Sequence, residues 1–167
     1  MAELGRMVES AVEQALADLD AMRTTEGVHL HADLNTRWAG LGVLVEEIAR
    51  AAEEGRAELQ VRLAVRVREL ASDLPVDQTA VAQEVVRTAA RSDISEEATR
   101  FRGHLAHWAA LVAAPEACGR KLDFLLQELN REVNTMGSKA DGLRVSELVV
   151  AAKAELEKMR EQVQNVE

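Results

Sequence analysis

The sequence predicts an all-α protein, with a long helical hairpin or coiled-coil-like arm followed by a C-terminal helical bundle. Ala, Glu, Leu, Val and Arg dominate the 167 residues, a composition that favours helices. Only two Pro and nine Gly occur, and the absence of Tyr leaves few of the aromatic residues that strands prefer. Apolar residues also recur every three or four positions along most of the chain, which is the spacing of an amphipathic helix.

The arm is predicted over residues 1–75. Its first helix is expected to end near Gly27, and a second helical pattern over residues 30–70 completes the hairpin. A connector at residues 73–77, which contains a proline, separates the arm from the bundle. Apolar positions of the first helix include Val8, Val12, Leu16 and Leu19. Glycines that favour a bend in the second are Gly40, Gly42 and Gly55.

The C-terminal bundle is predicted over residues 76–167, beginning with a short helix at 79–90. Asp93 and Glu96 then have the spacing of a capping box and predict the start of the next helix. The last helix begins near Val145 and carries a coiled-coil-like seam, which predicts lengthwise packing on another helix. The seam residues are Val149, Ala152, Leu156, Met159, Val163 and Val166.

Composition and charge also restrict the function. A net charge of −9 and a total of two Phe and two Trp argue against a broad basic groove or an aromatic platform for nucleic acid. A polyanion would therefore need a local site, a metal ion or another domain. The single cysteine, Cys118, indicates a reducing compartment. Without a signal peptide or an apolar run of about 18 residues, we expect a soluble, cytoplasmic protein with no membrane partner.

The segment from Gly119 to Asp141 carries the densest polar chemistry of the chain. One face of its helical pattern is apolar and predicts core packing, through Leu122, Leu125, Leu126, Leu129, Val133 and Met136. The opposite face holds Lys121, Glu128, Glu132, Thr135 and Lys139. One side of this helix is therefore expected to pack, and the other to be available for chemistry.

Glu128 and Glu132 lie four residues apart on one helix face, where like charges repel each other. A hard divalent cation such as Mg²⁺ or Mn²⁺ would compensate for that repulsion. Neutralisation by cationic side chains is the alternative that spacing alone favours. The candidate cations for that alternative are Lys121, Arg131 and Lys139.

Two further groups have both a structural and a functional interpretation. Gly137 is expected to cap the helix, which leaves its polar neighbours Asn134 and Thr135 unexplained. His104 is either a hydrogen-bonded structural histidine or a general base or metal ligand, with Glu97 and Arg100 at helical spacing before it. No Walker loop, dinucleotide fingerprint, HExxH or GxSxG occurs, which excludes the best-known nucleotide, zinc-protease and serine-hydrolase sites.

The C-terminal half resembles the bacterial YicC/YloC proteins, described as stress-associated, divalent-metal-dependent endoribonucleases. The matching motifs are DISEEATRF with a following HL, then GRKLDFLLQELNREVNTMGSK, then KAELEKMREQVQNVE. The N-terminal half is similar more loosely, through AMRTTEG, where Thr24 and Thr25 replace part of the family pattern. The resemblance also implies a separate N-terminal domain, absent here, that contributes to RNA binding, and a homo-oligomer such as a hexamer, for which the seam of the last helix is a candidate contact.

The matching positions coincide with the polar residues selected above and imply roles for them. We expect Glu128 and Glu132, with Glu97 or Glu161, to hold a Mn²⁺ or Mg²⁺ ion. His104 would move a proton, and Arg131 and Lys139 would neutralise phosphate charge. The remaining predicted contacts to RNA or phosphate are Arg100, Asn134 and Ser138.

Two functions remain open. In the first, this chain is the C-terminal region of an endoribonuclease that cleaves single-stranded or unstructured RNA by hydrolysis or transesterification. In the second, it is a helical oligomerisation or adaptor module of a stress-associated protein whose catalytic site lies in the N-terminal domain.

Overall fold

The computed structural model describes residues 2–71, 78–140 and 142–166, and confirms the all-α prediction. The helices are α1 (Ala2–Ala71), α2 (Gln78–Arg91), α3 (Ser95–Ala113), α4 (Gly119–Lys139) and α5 (Leu143–Val163). No strand occurs in these ranges. None of the described helices combines the length and hydropathy that a membrane span requires.

The helix break predicted near Gly27 is wrong, because α1 is helical throughout Ala2–Ala71. This part of the predicted arm is therefore one helix and not two helices joined by a turn. A glycine in a helix costs only about 1 kcal/mol relative to alanine. Thr24 and Thr25 also direct their hydroxyls to the carbonyls of Asp20 and Ala21, four residues earlier, which accommodates them in the helix. The connector predicted at 73–77 lies outside the described residues, and the domain boundary near residue 75 stays a prediction.

The chain divides into two compact units, Met1–Arg37 and Trp38–Glu167. In the first unit, the side chains of residues 3–29 are all exposed. Its polar contacts include pairs four residues apart on the helix, for example Gln14 with Asp18 and Arg37 with Asp33. Leu34 is buried in this unit, whereas residues 3–29 contribute no buried side chain.

The second unit contains a core in which α4 packs against both α3 and α5. The apolar face predicted for α4 is buried at every position. The seam predicted on α5 is also buried in this chain from Val149 to Val163, so those side chains are not exposed for contacts between copies. From α1, the buried residues Leu41, Val45, Ile48 and Ala52 belong to the same unit.

Ion pairs join the helices at the edge of this core. Arg102 of α3 donates from Nε and Nη2 to the two carboxylate oxygens of Glu46 in α1, over 2.7 and 2.9 Å. This hydrogen bonding lowers the pKa of Glu46 below its usual value. Arg144 of α5 similarly contacts Glu47 over 3.2 Å. These pairs join α3 and α5 to α1, and the packing of α3 against α4 in the core positions the candidate site.

Candidate functional site

An open cleft of about 470 Å³ lies between α3 and α4. Its lining comes from two consecutive turns of each helix, because residues three or four apart share a helix face. The α3 residues are Arg100, Gly103 and His104, and the α4 residues are Glu128, Arg131 and Glu132. The structure thus brings together all four residues predicted as catalytic, together with one predicted phosphate contact.

Glu132 is the most buried polar group of this cleft, with 4% of its surface exposed. Its Oε1 atom lies 3.8 Å from Nη1 of Arg100, whose guanidinium also contacts Glu96 one turn earlier on α3. Removing a carboxylate from water is costly unless a cation or hydrogen bond compensates. Arg100 supplies part of that compensation but at a distance longer than a hydrogen bond.

Glu128 lies one turn before Glu132 and is about one quarter exposed, at 27%. Arg131 lies 3.7 Å from it, also beyond hydrogen-bonding length. Lys121, considered from the sequence as a neutralising cation, contacts Glu116 instead, over 3.1 Å. The two carboxylates of the cleft therefore each have a nearby arginine, but within the described part of the chain neither is held in a short ion pair.

Glu97 and Lys139 form a separate pair outside the cleft lining. Nζ of Lys139, at the end of α4, lies 2.7 Å from Oε1 of Glu97, in the first turn of α3. Glu97 is only 3% exposed, and its Oε2 atom is buried without a hydrogen-bond partner among the described residues. The hydrogen bond to Glu97 raises the pKa of Lys139 above its usual value. Lys139 is thus already engaged with a carboxylate of the protein.

The other predicted contacts do not line the cleft either. Ser138 donates to the Thr135 carbonyl over 2.9 Å, and the Asn134 amide lies 3.5 Å from the Asn130 side chain. Glu161 is exposed on α5. The structure therefore separates the predicted metal ligands: Glu128 and Glu132 share the cleft, whereas Glu97 and Glu161 do not.

Gly137 is not the helix cap that its sequence context suggested, since α4 continues to Lys139. A Cβ atom at this position would lie 3.1 Å from Cγ1 of Val149 in α5. The glycine therefore permits close approach of α4 and α5. Thr135 is accommodated in the helix because its hydroxyl donates to the Arg131 carbonyl over 3.0 Å.

Gly103 is the cleft residue that the sequence analysis missed. A Cβ atom built there would meet nothing within 4 Å, so the absence of a side chain leaves room beside His104. The signal in the sequence was a glycine immediately before a candidate catalytic histidine in an otherwise regular helical pattern. His104 itself is half-buried.

A divalent ion fits the cleft in part. Among the residues that the structure describes, no three His, Cys, Asp or Glu side chains form a group that could hold a metal ion. Mg²⁺, however, is usually bound by one or two carboxylates together with waters and substrate phosphates. Glu128 and Glu132 meet that requirement, because they line the same cleft and their nearest arginines are 3.7 and 3.8 Å away.

Comparisons with known proteins agree with the motif resemblance. Residues 48–167 match the family described as "Endoribonuclease YicC-like, C-terminal". The chain is 41% identical over 165 residues to "Probable endoribonuclease YicC" of Clostridioides difficile (strain 630), covering 98% of this chain and 56% of that protein. It is 34% identical over 158 residues to the protein of the same name from Haemophilus influenzae, covering 95% and 54%. The chain thus spans about half the length of these relatives.

Proposed function

Because this chain belongs to the YicC-like endoribonuclease family, we propose that it cleaves single-stranded or unstructured RNA with the help of Mn²⁺ or Mg²⁺. The observation that carries this proposal is the α3–α4 cleft, where two carboxylates, a histidine and two arginines line one cavity of about 470 Å³. Each of these groups has a use in phosphodiester cleavage, and they come from two helices whose relative position is fixed by the core.

The arginines and the histidine have the simplest roles. Arg100 and Arg131 are both largely exposed at the rim, and their guanidinium groups suit a phosphate, which accepts paired hydrogen bonds. Binding a phosphate there would neutralise its charge as negative charge develops during cleavage. His104 would accept the proton of the attacking oxygen or donate one to the leaving oxygen.

Glu128 and Glu132 would hold the divalent ion. When bound, such an ion stabilises negative charge on phosphoryl oxygens and lowers the pKa of a coordinated water. The carboxylates also repel a phosphate in the absence of a cation, so a bound ion is expected to strengthen the binding of RNA beside Glu132. Arg100 and Arg131 would then exchange some of their contact with these carboxylates for contact with the substrate.

The test uses a fluorescently labelled unstructured RNA incubated with Mn²⁺ or Mg²⁺. We expect Glu128→Gln and Glu132→Gln each to reduce cleavage by about 100-fold or more while retaining the helical circular dichroism. Glu157→Gln, which changes an exposed carboxylate of α5, is the matched control and should cleave normally. Glu161→Gln tests whether Glu161, which lies outside the cleft, contributes to cleavage. Unchanged cleavage in both cleft variants would contradict the proposal.

The same assay can distinguish transesterification from hydrolysis. Transesterification uses the ribose 2′-hydroxyl as nucleophile and leaves a cyclic phosphate, whereas hydrolysis does not need that hydroxyl. A single 2′-deoxy substitution at the cleaved position should therefore abolish transesterification and leave hydrolysis intact. His104→Ala should reduce the rate in either case, by about 100-fold to 10,000-fold for a lost proton transfer.

The adaptor function is supported by one observation, the presence of a cationic neighbour for each of Glu97, Glu128 and Glu132. In that case the polar face of α4, which carries Glu128, Glu132 and Lys139, would serve together with Glu97 of α3 as an ion-paired protein surface. The RNA assay distinguishes the two, since an adaptor would show no metal-dependent cleavage by this chain.

A further inference from the structure

A second cavity, of about 300 Å³, lies along the same groove between α3 and α4. His107 lines it from α3, one turn after His104 of the cleft. Phe124 lines it from α4, one turn before Glu128 of the cleft. The remaining lining residues are Arg120, Lys121 and Leu125. The two cavities are therefore neighbouring sections of one groove.

Phe124 is the large apolar side chain of this second cavity that faces solvent. It is 60% exposed, although the neighbouring Leu125 and Leu126 of the same helix are only 2% exposed. Other aromatic side chains of the described chain are used in the core: Phe101 and Trp108 are each 1% exposed, and Trp38 stacks on Trp108. The exposed ring of Phe124 thus contributes little to that core.

Two cationic side chains and a histidine line the same cavity as the exposed ring. Arg120 is exposed and has no ion-pair partner among the described residues. Lys121 is also exposed, and its contact with Glu116 is a surface ion pair that a phosphate can replace at little cost. His107 adds a hydrogen-bonding ring from the opposite helix. In a chain of net charge −9, this is a local concentration of groups that attract a polyanion.

We propose that the second cavity binds an unpaired nucleobase of RNA, next to the phosphate bound in the cleft. The face of Phe124 would stack on the base, and Arg120 and Lys121 would contact the adjoining phosphates. An aromatic ring flanked by basic side chains is the usual device for single-stranded nucleic acid. This proposal rests on the proposed function in one respect: the RNA is taken to run from the cleft, where its phosphate is bound, towards Phe124.

Binding is tested without cleavage, by fluorescence anisotropy of a labelled octauridylate in EDTA. Phe124→Ala should weaken binding by about 5-fold to 150-fold, the range for loss of one stacked base. Phe124→Tyr keeps the ring and should bind within about 3-fold of the wild type. The matched control is Val150→Ala, which shortens another exposed apolar side chain, 66% exposed on α5, and should bind normally.

A second set of probes identifies the base as the bound group. Each probe is the octamer with one base removed, at a different position in each probe. The wild type should bind one of these probes more weakly than the intact octamer. Phe124→Ala, which already lacks the stacking ring, should bind that probe and the intact octamer equally well. If the abasic position lowered the affinity of Phe124→Ala and of the wild type equally in every probe, the ring would have only a general surface effect, and the proposal would be overturned. Unchanged octauridylate affinity of Phe124→Ala, or no binding by the wild type, would also overturn it. Arg120→Ala should reduce the slope of log affinity against log salt by about 0.7.

The two proposals fail differently. RNA that binds through Phe124 but is never cut in Mn²⁺ would overturn the nuclease function and retain the base site. RNA that is cut with dependence on Glu128 and Glu132, but binds equally well to Phe124→Ala, would overturn the base site alone.

Discussion

Asp93 shows how one side chain can start a helix in a way that the sequence predicts only in part. Its Oδ1 atom accepts the backbone N–H of Ser95 over 2.8 Å, at the first residue of α3. The predicted capping box is not formed: Ile94 is the N-cap residue of α3, Asp93 lies one residue before it, and Glu96 contacts Arg100. The hydrogen bonds from Ser95 lower the pKa of Asp93 below its usual 3.8.

Replacing Asp93 by Ala should therefore destabilise the protein by about 1 kcal/mol at pH 7, the usual cost of a lost helix-start acceptor. Because the folded-state pKa is lowered, this stabilisation is present above pH 3.8 and is lost as the pH falls through the folded value. Urea unfolding at pH 7 and pH 3 measures the difference. Asp93→Asn retains an acceptor and should cost less, and an equal cost for both variants would argue against capping.

The Glu97–Lys139 pair gives a second prediction, with the opposite pH dependence. Lys139→Met leaves the buried Glu97 carboxylate without its cation and should cost about 1–3 kcal/mol at pH 7. The pKa of Lys139 is raised above 10.5, so its contribution is present below that pH and is lost as the pH rises through the folded value. Lys153→Met, on the exposed face of α5, is the control. Equal stability of the two variants at neutral pH would contradict this role.

Among the helices, α4 is the one that sequence periodicity predicted best, because its two faces differ so clearly in polarity. All the apolar positions assigned to its packed face are buried. The break predicted in α1 failed since a glycine weakens a helix without ending it. The pairing of Glu97 with Lys139 and the approach of Arg100 to Glu132 connect different helices, so no spacing within one helix could indicate them. Gly137 likewise acquires its purpose only from Val149 on another helix.

Glycines within helices are therefore of two kinds, those that a neighbouring element approaches closely and those with open space around them. Substitution by alanine should distinguish the two. A Cβ atom at Gly119 would overlap the backbone carbonyl oxygen of Val166, so Gly119→Ala must displace backbone and should cost about 1–3 kcal/mol. Gly40 has nothing within 4 Å of that position, and Gly40→Ala should stabilise the protein by about 0.4–1 kcal/mol. Denaturant unfolding of both variants measures these changes; two changes of the same sign would refute the distinction.

At the level of the complete chain, stability should reside in the unit Trp38–Glu167. That unit holds the helices that line the cleft, whereas the side chains of residues 3–29 are all exposed. Removing residues 1–29 should consequently leave a protein that unfolds cooperatively, with a thermal midpoint within a few degrees of the original. Thermal circular dichroism makes this comparison. Loss of cooperative unfolding in the shorter chain would show that the removed residues are required for the core.

The stacked indoles of Trp38 and Trp108 give this protein an internal spectroscopic probe. Their ring centroids are 5.1 Å apart with planes inclined by 15°, close enough for their electronic transitions to couple. The chain has no other Trp and no Tyr, so these two rings dominate its near-ultraviolet absorption. Near-ultraviolet circular dichroism should accordingly follow the docking of α1 on α3 separately from helix content, and would show whether bound RNA disturbs that contact.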